Sequence, residues 1–210
     1  VLLFANGPFM AGNPANNSNH RYNFWNDTDP SRCGNLFDHD IHNKDQLLDK
    51  FVDIVLDAPS IFTVSIGNDV KKFDGSLKQW LQALEKSGLL DEHKINIALH
   101  QIFTNVRFKK HVLEIRGTDR PPKGFEMAPA AFWVGLLTVD SIRDQLMKIF
   151  SRWSQDERKI ANANACILNL SNIGPAGKSM MEWINLFSVL ATDGLKIRSE
   201  SLHIDNEQDL

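Results

Sequence analysis

A stretch rich in glycine and asparagine carries the first side chains whose types and spacing could do chemistry. Its arginines, carboxylates and aromatic ring lie close together along the chain: Arg21, Trp25, Asp27, Asp29 and Arg32. The planar fork of an arginine suits carboxylates and phosphates, so the two arginines predict a site for an anionic ligand. The two aspartates would bind a cation or hold the arginines in place. The alternative is a solvated loop with local Asx turns.

A second group lies further along, where Arg107 precedes Glu114 and Arg116. The alternation of residues 112–116 predicts a strand, and Glu114 and Arg116 would then project from the same face. An acid beside an arginine can hold a divalent cation and a phosphate oxygen together. Because Mg²⁺ takes one or two carboxylates plus phosphate oxygens, one glutamate would be an incomplete site. The alternative is a structural ion pair on an exposed sheet face.

Residues 174–179 resemble the end of a phosphate-binding P-loop, but that loop also needs a glycine where this chain has Asn172. The same residues are explained by a helix that begins after Ser179, with Glu182 completing a capping box. Capping therefore explains this stretch better than nucleotide binding.

The histidines and cysteines indicate no metal site, because the chain has neither a Cys-x-x-Cys pair nor a zinc-type spacing. His39 and His42 lie in an acidic turn. Cys33 and Cys166 are too few for a disulfide scaffold, which favours free thiols in a reducing compartment. A redox switch between them is the minor alternative.

Composition limits the class of protein. The chain has 210 residues, of which 42% are hydrophobic and 23% charged, with a net charge of −3. These are globular values, and we expect a single domain over residues 1–210. The absence of a basic surplus argues against nucleic acid as a partner. No apolar run approaches the length of a membrane span and the start has no basic segment, so we expect no membrane association and a cytoplasmic protein.

The sequence predicts that the elements positioning these residues are mainly helical. Residues 1–45 are loop-like and form the expected substrate region, and the polar residues 200–210 form a fraying tail. Helical spacing or capping predicts helices at these places: 46–57, after Ser76, 94–103, 130–137, after Ser154, and from Ser179 to Gly194. Short strands are predicted at 61–66 and 112–116. The fold class is therefore α+β, mainly helical with a few antiparallel strands.

Five stretches together resemble the plant-type (class 2) glutamate–cysteine ligases, in the order expected for that family. They are residues 3–9 with Gly12, 21–34, 106–119, 129–137 and 194–198. The Arg/Trp/Asp loop and the Leu113-Glu114-Ile115-Arg116 block are the specific parts of the match. The resemblance implies the C-terminal part of a glutamine-synthetase-like ligase fold.

The activity that the resemblance implies is ligation of glutamate to cysteine, the first step of glutathione synthesis. ATP would phosphorylate the γ-carboxylate of glutamate, and the cysteine amine would displace the phosphate, with Mg²⁺ and arginines neutralising charge. By resemblance, Glu114 is a Mg²⁺ ligand, Arg116 is catalytic and contacts the transferring phosphate, and Arg107 is a further phosphate contact. The resemblance implies an amino-acid pocket lined by Arg21, Trp25 and Arg32 and supported by Asp27 and Asp29.

The chain also departs from the family pattern. Thr104 stands in place of a usual proline, Cys33 in place of a common threonine, and the N-terminal half that would supply further ligands is absent. The chain alone would then be incomplete, and another chain or self-association would have to complete it. The alternative function is a non-catalytic module that binds an amino acid or another protein. The sequence does not distinguish cysteine from another amine acceptor.

Overall fold

The computed structural model describes residues 2–203 except 6, 8, 15, 17, 35–42, 65–68 and 110. Within them the α-helices are, in chain order, α1 (His20–Thr28), α2 (Lys44–Asp57), α3 (Leu77–Lys86), α4 (Glu92–His100), α5 (Ala128–Leu137), α6 (Asp140–Phe150), α7 (Gln155–Ala165) and α8 (Met180–Leu202). The strands are β1 (Phe9–Met10), β2 (Asn13–Pro14), β3 (Cys33–Gly34), β4 (Thr63–Val64), β5 (Val70–Lys71), β6 (Phe103–Thr104), β7 (Val106–Lys109) and β8 (Val112–Ile115). The α+β class is confirmed. None of the helices in these ranges has the length and apolar character that a bilayer crossing requires.

Among the described residues, the strands form four two-stranded ladders rather than one sheet. Three are antiparallel, β1 with β2, β4 with β5 and β7 with β8, whereas β3 and β6 pair in parallel. Their short length leaves helix packing as the main source of core burial. The glutamine-synthetase-like arrangement stays a prediction.

Two compact units divide the chain. The first contains residues 1–23 and 118–210, and the second contains residues 24–117. The expectation of a single domain stays a prediction.

The second unit has its core where α2 and α3 meet the strand region. Phe51 and Val55 of α2 are buried with Leu77 and Trp80 of α3 and with Ile102, which follows α4. The apolar residues recur at helical spacing along α2 and α3, so each helix presents one apolar face to this core. Ile102, just before β6, and Phe108 of β7 pack into this core and so hold both strands beside the helices.

The first unit is built on the packing of α5 against α8, with α6 beside them. Its core includes Leu136, Ile142 and Leu190. Gly135 of α5 and Gly194 of α8 meet backbone to backbone, because a Cβ added at Gly194 would overlap the carbonyl oxygen of Gly135. Two glycines at the crossing let the helices approach more closely than side chains would allow.

The predicted capping boxes are confirmed. The hydroxyl oxygens of Ser76, Ser154 and Ser179 accept hydrogen bonds from the backbone N–H groups of Gln79, Glu157 and Glu182, respectively. In return, the side chain of each of these three Gln and Glu residues accepts a hydrogen bond from the backbone N–H of its serine. Ser179 therefore begins α8 and is not part of a P-loop.

Some element boundaries differ from the predictions. The stretch 1–45 contains helix α1, which sequence missed because its apolar residues form no stripe and only Tyr22 is buried. Helix α8 does not end at Gly194 but continues to Leu202, since that glycine serves the crossing with α5. Helix α4 ends at His100 rather than Phe103, because Phe103 pairs with Cys33.

Other predictions are met in part. The strand predicted at 112–116 is β8, and only Thr63–Val64 of the predicted 61–66 strand forms β4; positions 65 and 66 lie outside the described residues. The start of the predicted fraying tail is helical as far as Leu202, and residues 204–210 lie outside the described part. So do His39 and His42.

Candidate functional site

The β7–β8 hairpin of the second unit brings Arg107 and Glu114 face to face, because the antiparallel register pairs these two positions. Arg107 Nε donates to Glu114 Oε2 at 2.7 Å, and Arg107 Nη2 lies 2.5 Å from the same oxygen. Arg107 is only 7% exposed, and its Nη1 donates to the carbonyl oxygens of His100 and Ile102 at 3.3 and 3.2 Å. Arg107 is therefore bonded both to Glu114 and to the backbone at the C-terminal end of α4.

Two further cations approach the same carboxylate. Lys109 Nζ lies 3.3 Å from Glu114 Oε1, and Arg116 Nη1 lies 3.9 Å from Glu114 Oε2. Arg107 and Lys109 alternate along β7 and so share one face of the hairpin. Three cationic side chains thus surround one carboxylate, and we call Arg107, Lys109, Glu114 and Arg116 the hairpin cluster. Its excess of positive charge suits an anionic ligand.

Aromatic rings flank Arg116 of the hairpin cluster. The guanidinium carbon of Arg116 lies 5.0 Å from the ring centroid of Trp25 and 5.2 Å from that of Phe103. The backbone N–H of Arg116 donates to the carbonyl oxygen of Asn105 at 3.0 Å. Trp25 comes from α1 and Phe103 from β6, so three separate segments meet at this arginine.

The cations also set the charge of Glu114. Partial burial by itself would raise the pKa of this carboxyl, but the hydrogen bond and charge of Arg107, aided by Lys109, outweigh it and lower the pKa below its usual value. Glu114 is therefore ionised at neutral pH, and its charge is shared among its cationic neighbours.

The cluster does not by itself fit Mg²⁺. Both oxygens of Glu114 contact cationic side chains, and nowhere among the described ranges do three His, Cys, Asp or Glu side chains gather in a way that could hold a metal ion. Octahedral Mg²⁺ needs oxygen ligands, and one carboxylate so engaged supplies too few. The role of Glu114 as a metal ligand stays a prediction.

Arg32 and Asp29 form a separate ion pair in the second unit. Arg32 is 6% exposed. Its Nε donates to Asp29 Oδ2 at 2.6 Å, and its Nη2 and Nη1 donate to the carbonyl oxygens of Pro59 and Gln101 at 2.7 and 3.3 Å. Hydrogen bonds from Ser31, then from Arg32, lower the pKa of Asp29. The pair ties the turn after α1 to the segments that follow α2 and α4.

The other residues of the predicted amino-acid pocket lie on α1. Arg21 belongs to the first unit, where its Nε lies 3.6 Å from Asp119 Oδ1. Asp27 is exposed on the second-unit part of α1. The structure therefore gathers Trp25 with the hairpin cluster, places Asp29 with Arg32 in another ion pair, and shows Arg21 with Asp119.

Sequence reasoning missed Lys109 and Phe103. Lys109 carried a usable signal, since it alternates with Arg107 along a strand that pairs with the Glu114 strand. Phe103 did not, because it was assigned to the end of a helix. The two cysteines are free thiols as expected, and burial raises the pKa of Cys33.

Comparison with known proteins gives the family. The sequence model of glutamate-cysteine ligase family 2 matches residues 2–182. The chloroplastic glutamate–cysteine ligases of Brassica juncea and Arabidopsis thaliana are each 28% identical over 96% of this chain, which covers 38% and 37% of their respective lengths. The chloroplastic enzyme of Solanum lycopersicum is 31% identical over 75% of the chain and 30% of its own length.

The chain thus spans less than two fifths of the length of these relatives, and it matches their C-terminal part. These relatives are named chloroplastic enzymes, which contradicts the expectation of a cytoplasmic protein. Because the family model matches well over half of the residues, the chain belongs to glutamate-cysteine ligase family 2.

Proposed function

We propose that the protein containing this chain joins the γ-carboxylate of glutamate to the amine of cysteine in the plastid, as the first step of glutathione synthesis. Family membership supports the reaction class, and the hairpin cluster is the single observation that carries the chemistry. Three cations around one carboxylate make a site in which a phosphate would find charge and hydrogen-bond donors together.

The proposed reaction passes through γ-glutamyl phosphate. ATP, when bound, supplies the phosphoryl group, and an oxygen of the glutamate γ-carboxylate attacks its phosphorus while the bond to ADP breaks. The cysteine amine then attacks the acyl carbon, phosphate leaves, and the amine loses a proton. Most of the catalysis in such transfers is positioning and charge stabilisation.

The residues of this chain divide that work. Arg116 directs its fork at the transferring phosphate, and Lys109 adds a second positive charge. Arg107 is the fixed member of the cluster: it is buried and tied to two carbonyl oxygens, so it holds Glu114 and through it the geometry of the hairpin. Arg107 is therefore a weaker candidate for phosphate contact than Arg116 and Lys109.

The amino-acid pocket is proposed on the resemblance. Arg21 lies on α1 and would face a carboxylate of glutamate, and Asp27, on the same helix, would support the pocket. Buried Arg32 and its partly exposed partner Asp29 would position this segment without contacting substrate. The further Mg²⁺ ligands and the remaining nucleotide contacts would come from the part of the ligase that this chain does not cover.

A second candidate function is a non-catalytic binding module. The observation that favours it is that the described residues fit an anion and not a metal ion. Such a module would bind phosphate-bearing ligands without turnover.

Turnover of the full-length protein with glutamate, cysteine and ATP separates the two functions. Arg116→Gln should lower kcat by about 10³-fold, in the range found for arginines that stabilise phosphoryl transfer. Arg116→Lys keeps the charge but loses the fork and should recover only part of the rate. Arg152→Gln, at an exposed arginine after α6, is the matched control. Binding of ATP without turnover in the wild-type protein would support the module instead.

A further inference from the structure

We propose that Trp25 is a positioning residue, and that its ring together with that of Phe103 holds the Arg116 guanidinium in the orientation used for phosphate. This inference rests on the proposed function and assigns Trp25 a role other than lining the amino-acid pocket.

The distances place both rings within interaction range of one cation. The guanidinium carbon of Arg116 is 5.0 Å from the Trp25 centroid and 5.2 Å from the Phe103 centroid, and cation–π attraction acts within about 6 Å. The two rings lie 6.1 Å apart with an interplanar angle of 35°. Tryptophan is the strongest of the aromatic partners for a cation, so Trp25 contributes more than Phe103.

Phe103 is itself fixed by backbone pairing. Its N–H donates to the carbonyl oxygen of Arg32 at 2.8 Å, and it pairs with Cys33 in the parallel β3–β6 ladder. The guanidinium carbon of Arg107 also lies 5.9 Å from the Phe103 ring. One ring thus contacts both arginines of the hairpin cluster, and a shift of Phe103 would disturb both.

The ion pair with Glu114 does not supply the same restraint. Its closest approach to Arg116 is 3.9 Å, whereas Arg107 approaches the same oxygen at 2.5 Å. Glu114 therefore fixes Arg107 and only attracts Arg116. Both rings lie beside the Arg116 side chain, which is 19% exposed.

A ring contact also suits a phosphate-binding arginine chemically. An arginine that stacks on an aromatic ring uses the face of its guanidinium, whereas its N–H donors point outward from the edge. Stacking therefore restricts orientation without engaging those donors, which is the preorganisation that charge stabilisation in a transition state needs.

The test compares Trp25→Leu with Trp25→Phe in the full-length protein by two measurements. In the first, turnover, Trp25→Leu should lower kcat about tenfold with the KM for glutamate within twofold, and Trp25→Phe should restore most of the rate. Phe24→Leu, at the exposed neighbouring ring on α1, is the matched control and should leave both constants unchanged.

The second measurement is the ¹H–¹⁵N NMR signal of the Arg116 Nε–H group, assigned through Arg116→Lys. Ring currents should displace this signal from its position in an unstructured peptide, and Trp25→Leu should return it toward that position. This readout needs no ligase activity. If the wild-type protein lacks turnover, the proposed function fails, and the NMR signal still decides the role of Trp25.

Two results would overturn the inference. One is an Arg116 signal that does not move in Trp25→Leu. The other is a raised KM for glutamate with unchanged kcat, which would make Trp25 part of the amino-acid pocket. Should Trp25→Leu fail to fold, Phe103→Leu replaces it, because that variant removes the other ring contact with Arg116. No loss of kcat and no shift of the Arg116 signal in Phe103→Leu would also overturn the inference.

Discussion

The β7–β8 hairpin and the α5–α8 crossing both lie in stretches that resemble the ligase family, yet they are built on opposite physical principles. At the crossing, Gly135 and Gly194 bring two backbones together, and no side chain takes part at the point of contact. At the hairpin, Arg107 and Glu114 are held together by charge and hydrogen bonds. A family-like stretch can therefore hold a close backbone contact in one unit and a charged side-chain cluster in the other.

The difference predicts how each region responds to change. Packed backbones have no room for an added atom, so the crossing should fail by steric overlap at any pH or salt concentration. The hairpin cluster is partly exposed and electrostatic, so its contribution should vary with pH and salt.

The largest effect is expected at the crossing. Gly194→Ala adds one Cβ that would overlap the carbonyl oxygen of Gly135, and since the neighbour is backbone, the helices must move apart. We expect the free energy of unfolding to fall by about 3 kcal/mol, measured by urea denaturation. Asp193→Ala, at the exposed preceding residue, should change it by less than about 0.5 kcal/mol. Equal stability of both variants would show that the crossing is not tight.

A smaller loss is expected from Arg107→Ala. It removes the closest partner of Glu114 and the donor to the His100 and Ile102 carbonyl oxygens, which should cost about 2 kcal/mol of unfolding free energy. Removing the charge of Glu114 as well should recover part of that loss, so Arg107→Ala with Glu114→Gln forms a double-mutant cycle. Simple additivity would mean that the two side chains do not interact. Arg152→Ala is the control.

The smallest effect is the pH dependence of Glu114. Its pKa in the folded protein is lowered from the value of about 4.3 expected for an unfolded chain. Its ionised form therefore stabilises the fold above that pH, and this contribution is lost as the pH falls through the folded pKa. The stability difference between wild type and Glu114→Gln should be larger at pH 7 than at pH 3. A difference independent of pH would contradict the cluster.

Added salt distinguishes the ion pairs of the hairpin cluster from hydrogen bonds in the first unit. The pKa of Glu182 in the first unit is lowered first by a hydrogen bond from the Ser179 backbone N–H, whereas that of Glu114 depends on cationic side chains. Added NaCl should therefore reduce the stability difference for Glu114→Gln more than for Glu182→Gln. Equal salt responses would show that the Glu114 ion pairs contribute little.

Local signals were sufficient for much of the fold. The capping boxes at Ser76, Ser154 and Ser179 placed three helix starts, because the cap and its partner lie within one turn. Gly194 misled the prediction, since a glycine at a helix end and a glycine at a helix crossing look alike until the other helix is known. Helix α1 has no apolar stripe, so the pattern of its residues does not predict a helix.

The candidate site was predictable in its residue types and less so in its contacts. Glu114 and Arg116 follow from the spacing of one strand, and the resemblance supplied the rest. The partner of Arg107 depends on the hairpin register, and the rings around Arg116 come from α1 and β6. Such contacts between distant segments carry no local pattern that a single sequence reveals.

The most direct test of the account is binding of tripolyphosphate, which carries the charge of the ATP phosphates, by isothermal titration of the full-length protein at two salt concentrations. We expect binding that weakens with salt, an affinity about tenfold lower in Arg116→Gln, and an unchanged affinity in Lys196→Gln, at an exposed residue of α8. Equal affinity in wild type and Arg116→Gln would contradict the claim that the hairpin cluster is the phosphate site.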